Sequence, residues 1–276
     1  MSRLKPSKDI ASMEASSLLL SCGYWDNTVK AHSVDGLRLR CSESGGHRGP
    51  ILCLDIDNDG AFLVTGGQDA TCRVWVVEYP DMAVSISDGY MKTAMGGSID
   101  KKEQLLACCH VLWGHETAVT CLSLSSELDV TVSGSIGGTI CVHTIRRGTF
   151  VRSICPAPIM GCIENGRPSV RKLAIDSNGM FVAQMGDFGL HTYTVNGVHM
   201  CSEDAGEILH DMKICSGGEV LVTGGNDGHV VLRTVRDLQI HSTLDLNRHG
   251  PVRCISLTPE ELNPVPQFCL LVTMTE

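Results

Sequence analysis

The segment 46–77 constrains the fold of this chain more than any other part of its sequence. It opens with Gly46-His47 and holds three short runs, 51–55, 61–65 and 70–77, in which apolar side chains tend to alternate with other residues. The turn-forming stretches 58–60 and 66–69 separate these runs. Alternation with a period of two, interrupted by Asp-Gly or Gly-Gly, is typical of short antiparallel strands joined by hairpins. The segment therefore predicts one small antiparallel sheet.

The same pattern recurs along the chain. Aligning each third strand on this segment gives five turn positions: Asp26, Asp69, Gly137, Asp187 and Asp227. They lie 43, 68, 50 and 40 residues apart, and a period of about 40 residues matches a four-stranded repeat unit. We interpret the two longer intervals as insertions at 78–104 and 155–168. The first is polar and aperiodic, so it is either disordered, a solvated loop or a partner contact.

Segment 46–77 resembles the WD40 repeat, one blade of a β-propeller, in its Gly46-His47 pair and in Trp75 of its third strand. The resemblance is incomplete, since Val76 follows Trp75 where the family carries Asp. It implies a structural tetrad made of His47, Thr65, Asp69 and Trp75. In that tetrad the Asp69 carboxylate accepts a hydrogen bond from His47, and Thr65 joins His47 to the indole N–H. A buried indole needs an acceptor, so we expect this network to fix the packing of the blade.

The tetrad is expected to be complete in one blade only. Six residues beyond the successive turn positions lie His32, Trp75, His143, Tyr193 and Arg233, so the indole donor occurs once. In the other blades we expect the packing of alternate Val, Leu and Ile side chains to carry the stability of the sheets.

The predicted fold class is all-β, an incomplete WD40 β-propeller over residues 1–276 with a loop insertion at 78–104. Residues 8–14 form a weak first strand, while 252–257 and 268–273 read as two strands of a sixth unit. The sequence thus predicts about five blades plus half a blade of an expected seven. Because a propeller must close to hide its edge strands, we expect the chain to be a fragment of a larger propeller.

Composition narrows the function. A net charge of −9 argues against a nucleic-acid surface, and no apolar run or N-terminal pattern predicts a spanning helix or a secretory signal. The chain has 14 cysteines, of which Cys53, Cys121 and Cys254 share one repeat position. That recurrence favours reduced core thiols over a redox or metal role, and no C-x-x-C pair exists.

Two further stretches, 22–26 and 142–145, resemble the C-terminal propeller of the neurobeachin-type BEACH-domain scaffold proteins. The insertion after Trp75 also falls where that family carries one. The resemblance implies a cytoplasmic scaffold, peripheral on endomembranes, that acts in vesicle trafficking and protein localisation. It also implies that the propeller contacts a BEACH domain in the full-length chain. Relatives anchor protein kinase A, through a site outside the propeller.

Catalysis is not expected. The chain has no G-x-S-x-G elbow, its paired glycines lack the Lys-Ser/Thr of a phosphate-binding loop, and metal ligands at useful spacing are absent. We therefore predict no catalytic residue, no metal and no cofactor. Two binding roles remain: an interaction scaffold for proteins or peptides, and a substrate receptor of a ubiquitin-ligase or other multiprotein complex.

Partner contacts are predicted in the turns between second and third strands and just before first strands. The candidates are Tyr24, Trp25, Arg48, Gln68, Glu116, Thr117, Asn226 and Asp227. Trp25 stands where other units have Gln68 or Asn226. It is either an exposed contact, since aromatic residues dominate binding hot spots, or a side chain packed in the channel of the disc.

Overall fold

The computed structural model describes residues 18–33, 39–43, 46–77, 106–156, 167–187, 189–215 and 217–257. This part of the chain is made of β-strands joined by short turns, with a single-turn 3-10 helix at Asn247–His249. The strands form five antiparallel sheets, which we number as blades 1 to 5 in chain order.

The strands of each blade follow one another in sequence. Blade 1 holds β1 (Leu18–Ser21), β2 (Val29–Ser33) and β3 (Leu39–Glu43); blade 2 holds β4 (Ile51–Ile56), β5 (Phe62–Gly67), β6 (Cys72–Val77) and β7 (Leu106–Leu112). Blade 3 holds β8 (Val119–Ser125), β9 (Val130–Ser135), β10 (Ile140–Thr144) and β11 (Phe150–Ile154). Blade 4 holds β12 (Val170–Ile175), β13 (Met180–Met185), β14 (Gly189–Thr194) and β15 (His199–Asp204). Blade 5 holds β16 (Leu209–Ile214), β17 (Val220–Gly225), β18 (His229–Thr234) and β19 (Ile240–Asp245).

Each blade is a meander, in which every strand pairs with the next one in the chain. Tight turns make this possible. Between the first and second strands of blades 2, 4 and 5, Gly60, Gly179 and Gly218 adopt φ values of 69°, 86° and 72°. Side chains with a Cβ reach this left-handed region only at a cost, so glycine closes these hairpins.

The hydrophobic core lies between consecutive blades. In one cluster Val64 and Val74 of blade 2 pack with Val119 and Leu122 of blade 3. Similar clusters join blade 1 to blade 2, blade 3 to blade 4, and blade 4 to blade 5. Blades 2, 3 and 4 therefore bury both faces against their neighbours in chain order, which is the packing of a β-propeller.

One glycine position repeats this stacking. A Cβ added to the second-strand residues Gly66, Gly134 or Gly224 would lie 2.5–2.6 Å from the valine at the start of the following unit, namely Val119, Val170 or Val252. The hydroxyl-bearing residue just before each glycine is equivalent too. Thr65, Ser133 and Thr223 are at most 1% exposed and pair with Arg73, Cys141 and Val231 in the same register. The prediction of an all-β propeller is confirmed.

Two expectations about the last unit differ from the structure. Residues 252–257 were expected to form a strand, but none is assigned to 251–257. Cys53, Cys121 and Cys254 were expected to be buried core thiols; Cys121 is buried, Cys53 is half-buried and Cys254 is exposed. In blades 2 and 3 the thiols of Cys53 and Cys121 pack beside Gly66 and Gly134, in the second strand of their own blade. The second strand expected for the last unit lies outside the described residues. The cysteines whose side chains are described form no disulfide. The predicted strands 8–14 and 268–273 and the insertion 78–104 lie outside the described residues.

Candidate protein-interaction face

One end of the blades is built from two kinds of loop that equivalent backbone hydrogen bonds hold together. In four blades the turn between the second and third strands donates an N–H to a carbonyl just before the first strand. The pairs are Gln68 with Pro50, Ile136 with Ala118, Gly186 with Ser169, and Asn226 with Ile208, at 2.8–3.0 Å. We call these turns and the segments that precede the first strands the upper rim. Because this bond recurs in blades 2 to 5, equivalent loops of these blades lie at the same end of their strands.

A chain of hydrogen bonds ties the rim of blade 2 to its third strand. The Trp75 indole N–H donates to Thr65 Oγ1 at 3.0 Å, and Thr65 Oγ1 lies 2.9 Å from His47 Nε2. His47 Nδ1 lies 2.9 Å from Asp69 Oδ1. An indole can only donate and an ionised carboxylate can only accept, so the protons run in one direction, from Trp75 through Thr65 and His47 to Asp69. His47 is then the neutral imidazole with its proton on Nδ1.

Asp69 ends this series of hydrogen bonds at the upper rim. Its carboxylate also accepts the Arg48 N–H at 2.8 Å and the Thr71 hydroxyl at 2.8 Å. Partial burial alone would raise the pKa of Asp69, but the bonds from His47, Arg48 and Thr71 outweigh it and lower that pKa. Burial lowers the pKa of His47, which the neighbouring carboxylate only partly offsets. Asp69 therefore fixes the Arg48 backbone to the turn of the same blade.

Blade 3 keeps part of this arrangement. His115 Nε2 lies 2.8 Å from Ser133 Oγ, as His47 does from Thr65, and its Nδ1 lies 3.2 Å from Thr139 Oγ1. Gly137 stands at the turn position that Asp69 occupies in blade 2, so this turn supplies no carboxylate to the imidazole. Burial and the charge of His143 lower the pKa of His115 to about 4.

Blade 5 reaches a similar result with other residues. A Cβ on Gly67 would clash with His47, and one on the equivalent Gly225 would clash with Glu207, so Glu207 occupies the imidazole position. Its Oε2 accepts the Asp227 N–H at 2.8 Å. Here the segment before the first strand supplies the carboxylate and the turn supplies the N–H, the reverse of the Asp69–Arg48 bond. Burial raises the pKa of Glu207.

Six of the predicted contact residues lie on the upper rim of blades 2, 3 and 5. Tyr24 and Trp25 lie in the turn between β1 and β2 of blade 1, which the alignment of Asp26 with Asp69 makes equivalent to the rim turn of blade 2, so we include it in the upper rim. Seven of the eight are exposed: Trp25, Arg48, Gln68, Glu116, Thr117, Asn226 and Asp227. Thr117 also serves the rim itself, because its Oγ1 accepts the Gly137 N–H at 2.9 Å. Tyr24 is half-buried and supports its neighbours: its hydroxyl lies 2.8 Å from Ser21 Oγ, and Lys30 Nζ lies 3.8 Å from its ring centroid.

Trp25 has 93% of its surface exposed. Trp25 therefore does not fill a channel among the blades that the structure describes. Its turn is nevertheless well defined, since Asp26 Oδ1 accepts the Thr28 hydroxyl at 2.7 Å and Asp26 Oδ2 lies 3.2 Å from Lys30 Nζ.

The family model described as the neurobeachin β-propeller domain matches residues 7–265. This chain belongs to the neurobeachin β-propeller family. BEACH domain-containing protein B of Arabidopsis thaliana is 29% identical over 234 residues, which cover 83% of this chain and 8% of that protein. BEACH domain-containing protein lvsE of Dictyostelium discoideum is 23% identical over 233 residues, covering 83% and 9%. This neurobeachin-family chain thus spans less than a tenth of the length of either relative.

A solved structure agrees on the fold. The crystal structure of the computationally designed Ika8 protein superposes on this neurobeachin-family propeller with a TM-score of 0.60. The match covers 87% of this chain and 64% of the designed one, at 18% sequence identity. At that identity the likeness concerns the fold alone.

Three exposed apolar residues on the rim of this neurobeachin-family propeller were not among the predicted contacts. They are Trp113, 69% exposed, Ile136, 56% exposed, and Ile208, 37% exposed. Trp113 directly precedes Gly114-His115, and its carbonyl oxygen lies 2.8 Å from His143 Nε2. That position before a Gly-His pair is a sequence signal that could have placed Trp113 on the rim.

Two observations bound the chemistry of the described residues. No three His, Cys, Asp or Glu side chains among them lie close enough together to hold a metal ion. No helix among them is long and apolar enough to cross a membrane.

Proposed function

We propose that this neurobeachin-family propeller is a non-catalytic platform that binds a partner protein through its upper rim. The observation that carries the proposal is Trp25, which is 93% exposed on a turn that hydrogen bonds hold in place. An exposed tryptophan leaves a large apolar surface in water, and tryptophan is enriched among the residues that dominate binding energy. Trp113, 69% exposed, offers a second such surface on the same rim.

Preorganisation supports the same proposal. Asp69 holds Arg48 to the blade 2 turn, and Glu207 holds the blade 5 turn at the N–H of Asp227. A rim whose loops are already ordered loses little conformational entropy when a partner binds.

The cellular role is proposed from the family. The relatives are named as BEACH domain-containing proteins, so we place this propeller beside a BEACH domain in a longer protein. In that setting it acts in vesicle trafficking and protein localisation, on the cytoplasmic side of endomembranes. Peripheral attachment to the membrane comes from the larger protein, and the propeller contributes contacts to the BEACH domain and to partner proteins.

Quantitative capture from cytosol tests the platform. Immobilised wild-type chain is compared with Trp25→Ala, Trp113→Ala and the control Ile240→Ala, whose side chain is 57% exposed on the outer strand β19. A hot-spot tryptophan contributes about 2 kcal/mol or more, or roughly a 30-fold change in affinity. We expect at least one tryptophan variant to lose the proteins that wild type and Ile240→Ala both retain, with an unchanged melting temperature. Equal capture by all four chains contradicts the proposal.

A further inference from the structure

An open hollow lies at the upper rim where the first strands of blades 3, 4 and 5 begin. Its volume is 460 Å³, and its lining includes Ile136, the stretch 169–172 and the stretch 208–210. That volume falls within the range of ligand-binding clefts, about 300–1,000 Å³. The exposed side chains of Ile136 and Ile208 form apolar parts of the lining.

Basic side chains surround this hollow, although the chain as a whole is acidic, with a net charge of −9. Arg171 and Lys172 line it directly, and so does His210. Arg253, exposed, donates from Nη1 to His210 Nε2 at 3.1 Å, which brings a third formal positive charge to its edge.

The nearby carboxylates are already partnered in two cases. Asp187 lies 2.6 Å from Arg171, and Asp211 accepts the Ile255 N–H at 2.7 Å. Among the described residues, neither Lys172 nor Arg253 forms an ion pair with a carboxylate, so both can pair with an incoming anionic group. The same positive charges act on the imidazole of His210. Its pKa is lowered mainly by burial, and the charges of Arg253 and Lys172 lower it further.

We propose that this hollow binds an acidic peptide segment of a partner protein, with Asp or Glu carboxylates at Lys172 and Arg253 and an apolar side chain between Ile136 and Ile208. Arginine donates to carboxylates in a planar fork and lysine does so as a compact charge, so both suit such a segment. Charge complementarity of this kind selects partners and speeds their association. The inference rests on the proposed platform function and names the chemistry of one of its ligands.

Fluorescence anisotropy on the whole chain tests the hollow without any partner protein. The probe is a fluorescein-labelled nonapeptide that alternates Glu with Leu, and the matched probe replaces every Glu with Gln. We expect the Glu peptide to bind at least tenfold more tightly than the Gln peptide at 50 mM NaCl, and to lose most of that preference at 500 mM, where screening is strong.

Charge reversals locate the site. Lys172→Glu and Arg253→Glu should each weaken binding of the Glu peptide at least tenfold. Arg236→Glu changes the net charge equally, but its exposed side chain lies beyond β18, at the opposite end of blade 5, so it should change affinity less than twofold. Arg253 is exposed, so its variant remains informative even if replacement of the half-buried Lys172 unfolds the chain.

Three results overturn this inference: equal binding of both peptides, equal weakening by Arg236→Glu, or binding of phosphoinositide vesicles by a chain that ignores both peptides. None of them bears on the tryptophan capture experiment, so failure of the hollow and failure of the platform remain distinguishable.

Discussion

The hydroxyl of Thr65 accepts the indole N–H of Trp75 at 3.0 Å, with both residues buried in blade 2. The same hydroxyl lies 2.9 Å from His47 Nε2. One oxygen thus serves both a donor and an acceptor that are shielded from water.

Replacing Thr65 with Val keeps the shape of the side chain and removes that oxygen. The indole N–H of Trp75 and Nε2 of His47 would each lose a buried partner, so we expect the free energy of unfolding to fall by about 2–4 kcal/mol. Thr223→Val is the matched control, because within the described part of the chain its hydroxyl makes one hydrogen bond, to the Val231 carbonyl at 3.3 Å, and we expect a loss of about 1 kcal/mol. Urea unfolding of both variants measures the difference, and equal losses would contradict the role given to Thr65.

Stability should fall as the pH drops below about 6.5. Burial lowers the pKa of His115 to about 4 in the folded chain, whereas an unfolded histidine titrates near 6.5. The unfolded state therefore binds the proton first, and the folded state loses roughly 2 kcal/mol by pH 5 through His115 alone. The lowered pKa of His47 acts in the same direction.

His115→Gln tests that assignment, since glutamine keeps hydrogen-bonding atoms and does not titrate. Urea unfolding of wild type and variant is compared between pH 7.5 and pH 5. We expect a visibly flatter pH dependence in the variant. Parallel curves would show that other groups cause the loss.

Gly134 is expected to be intolerant of any side chain. An alanine Cβ there would lie 2.5 Å from Val170 Cγ1 and 2.7 Å from Val170 Cβ. Gly134 and Val170 lie at the packed boundary between blades 3 and 4, so overpacking by the added methyl group should cost about 1–3 kcal/mol. Val170→Ala removes the contact with Cγ1 and keeps the contact with Cβ, so in the double variant the two costs should add only in part, giving a coupling of about 1 kcal/mol. Simple additivity, measured by thermal unfolding, would speak against contact between these residues.

Ala70 sits in a left-handed conformation, with φ of 61°. A Cβ in this region costs about 1–2 kcal/mol, which glycine avoids at a smaller entropic penalty. We therefore expect Ala70→Gly to stabilise the chain by ~1 kcal/mol. That change corresponds to roughly 2–4 °C in melting temperature for a domain of this size. A lower melting temperature would contradict this view of the turn.

The repeated units could be predicted from the sequence because each rests on local signals. Turn residues near Asp26, Asp69 and Asp227 recur about every 40 residues, and the strands alternate between them. The four tetrad residues, His47 to Trp75, could be named because the resemblance to the WD40 repeat falls within this one blade.

The hollow could not be predicted in this way. Its charged residues come from three successive repeat units: Lys172, His210 and Arg253. Only the packing of those units against one another brings them to the same hollow. Cys254 misled for a related reason. Its repeat position matches that of Cys53 and Cys121, but those thiols pack beside glycines in the second strand of their own blade, and the second strand of the last unit lies outside the described residues.

Site-specific photo-crosslinking tests the central claim, that the upper rim is the binding face, most directly. A benzophenone side chain is placed in turn at Trp25, Trp113 and Ile136 on the rim, and at Met200 and Ile240 on outer strands. Each chain is irradiated in cytosol, and its adducts are identified by mass spectrometry. We predict that one shared set of proteins crosslinks at the rim positions and is absent from the outer strands. Crosslinks concentrated at positions 200 and 240, with none at the rim, would contradict it.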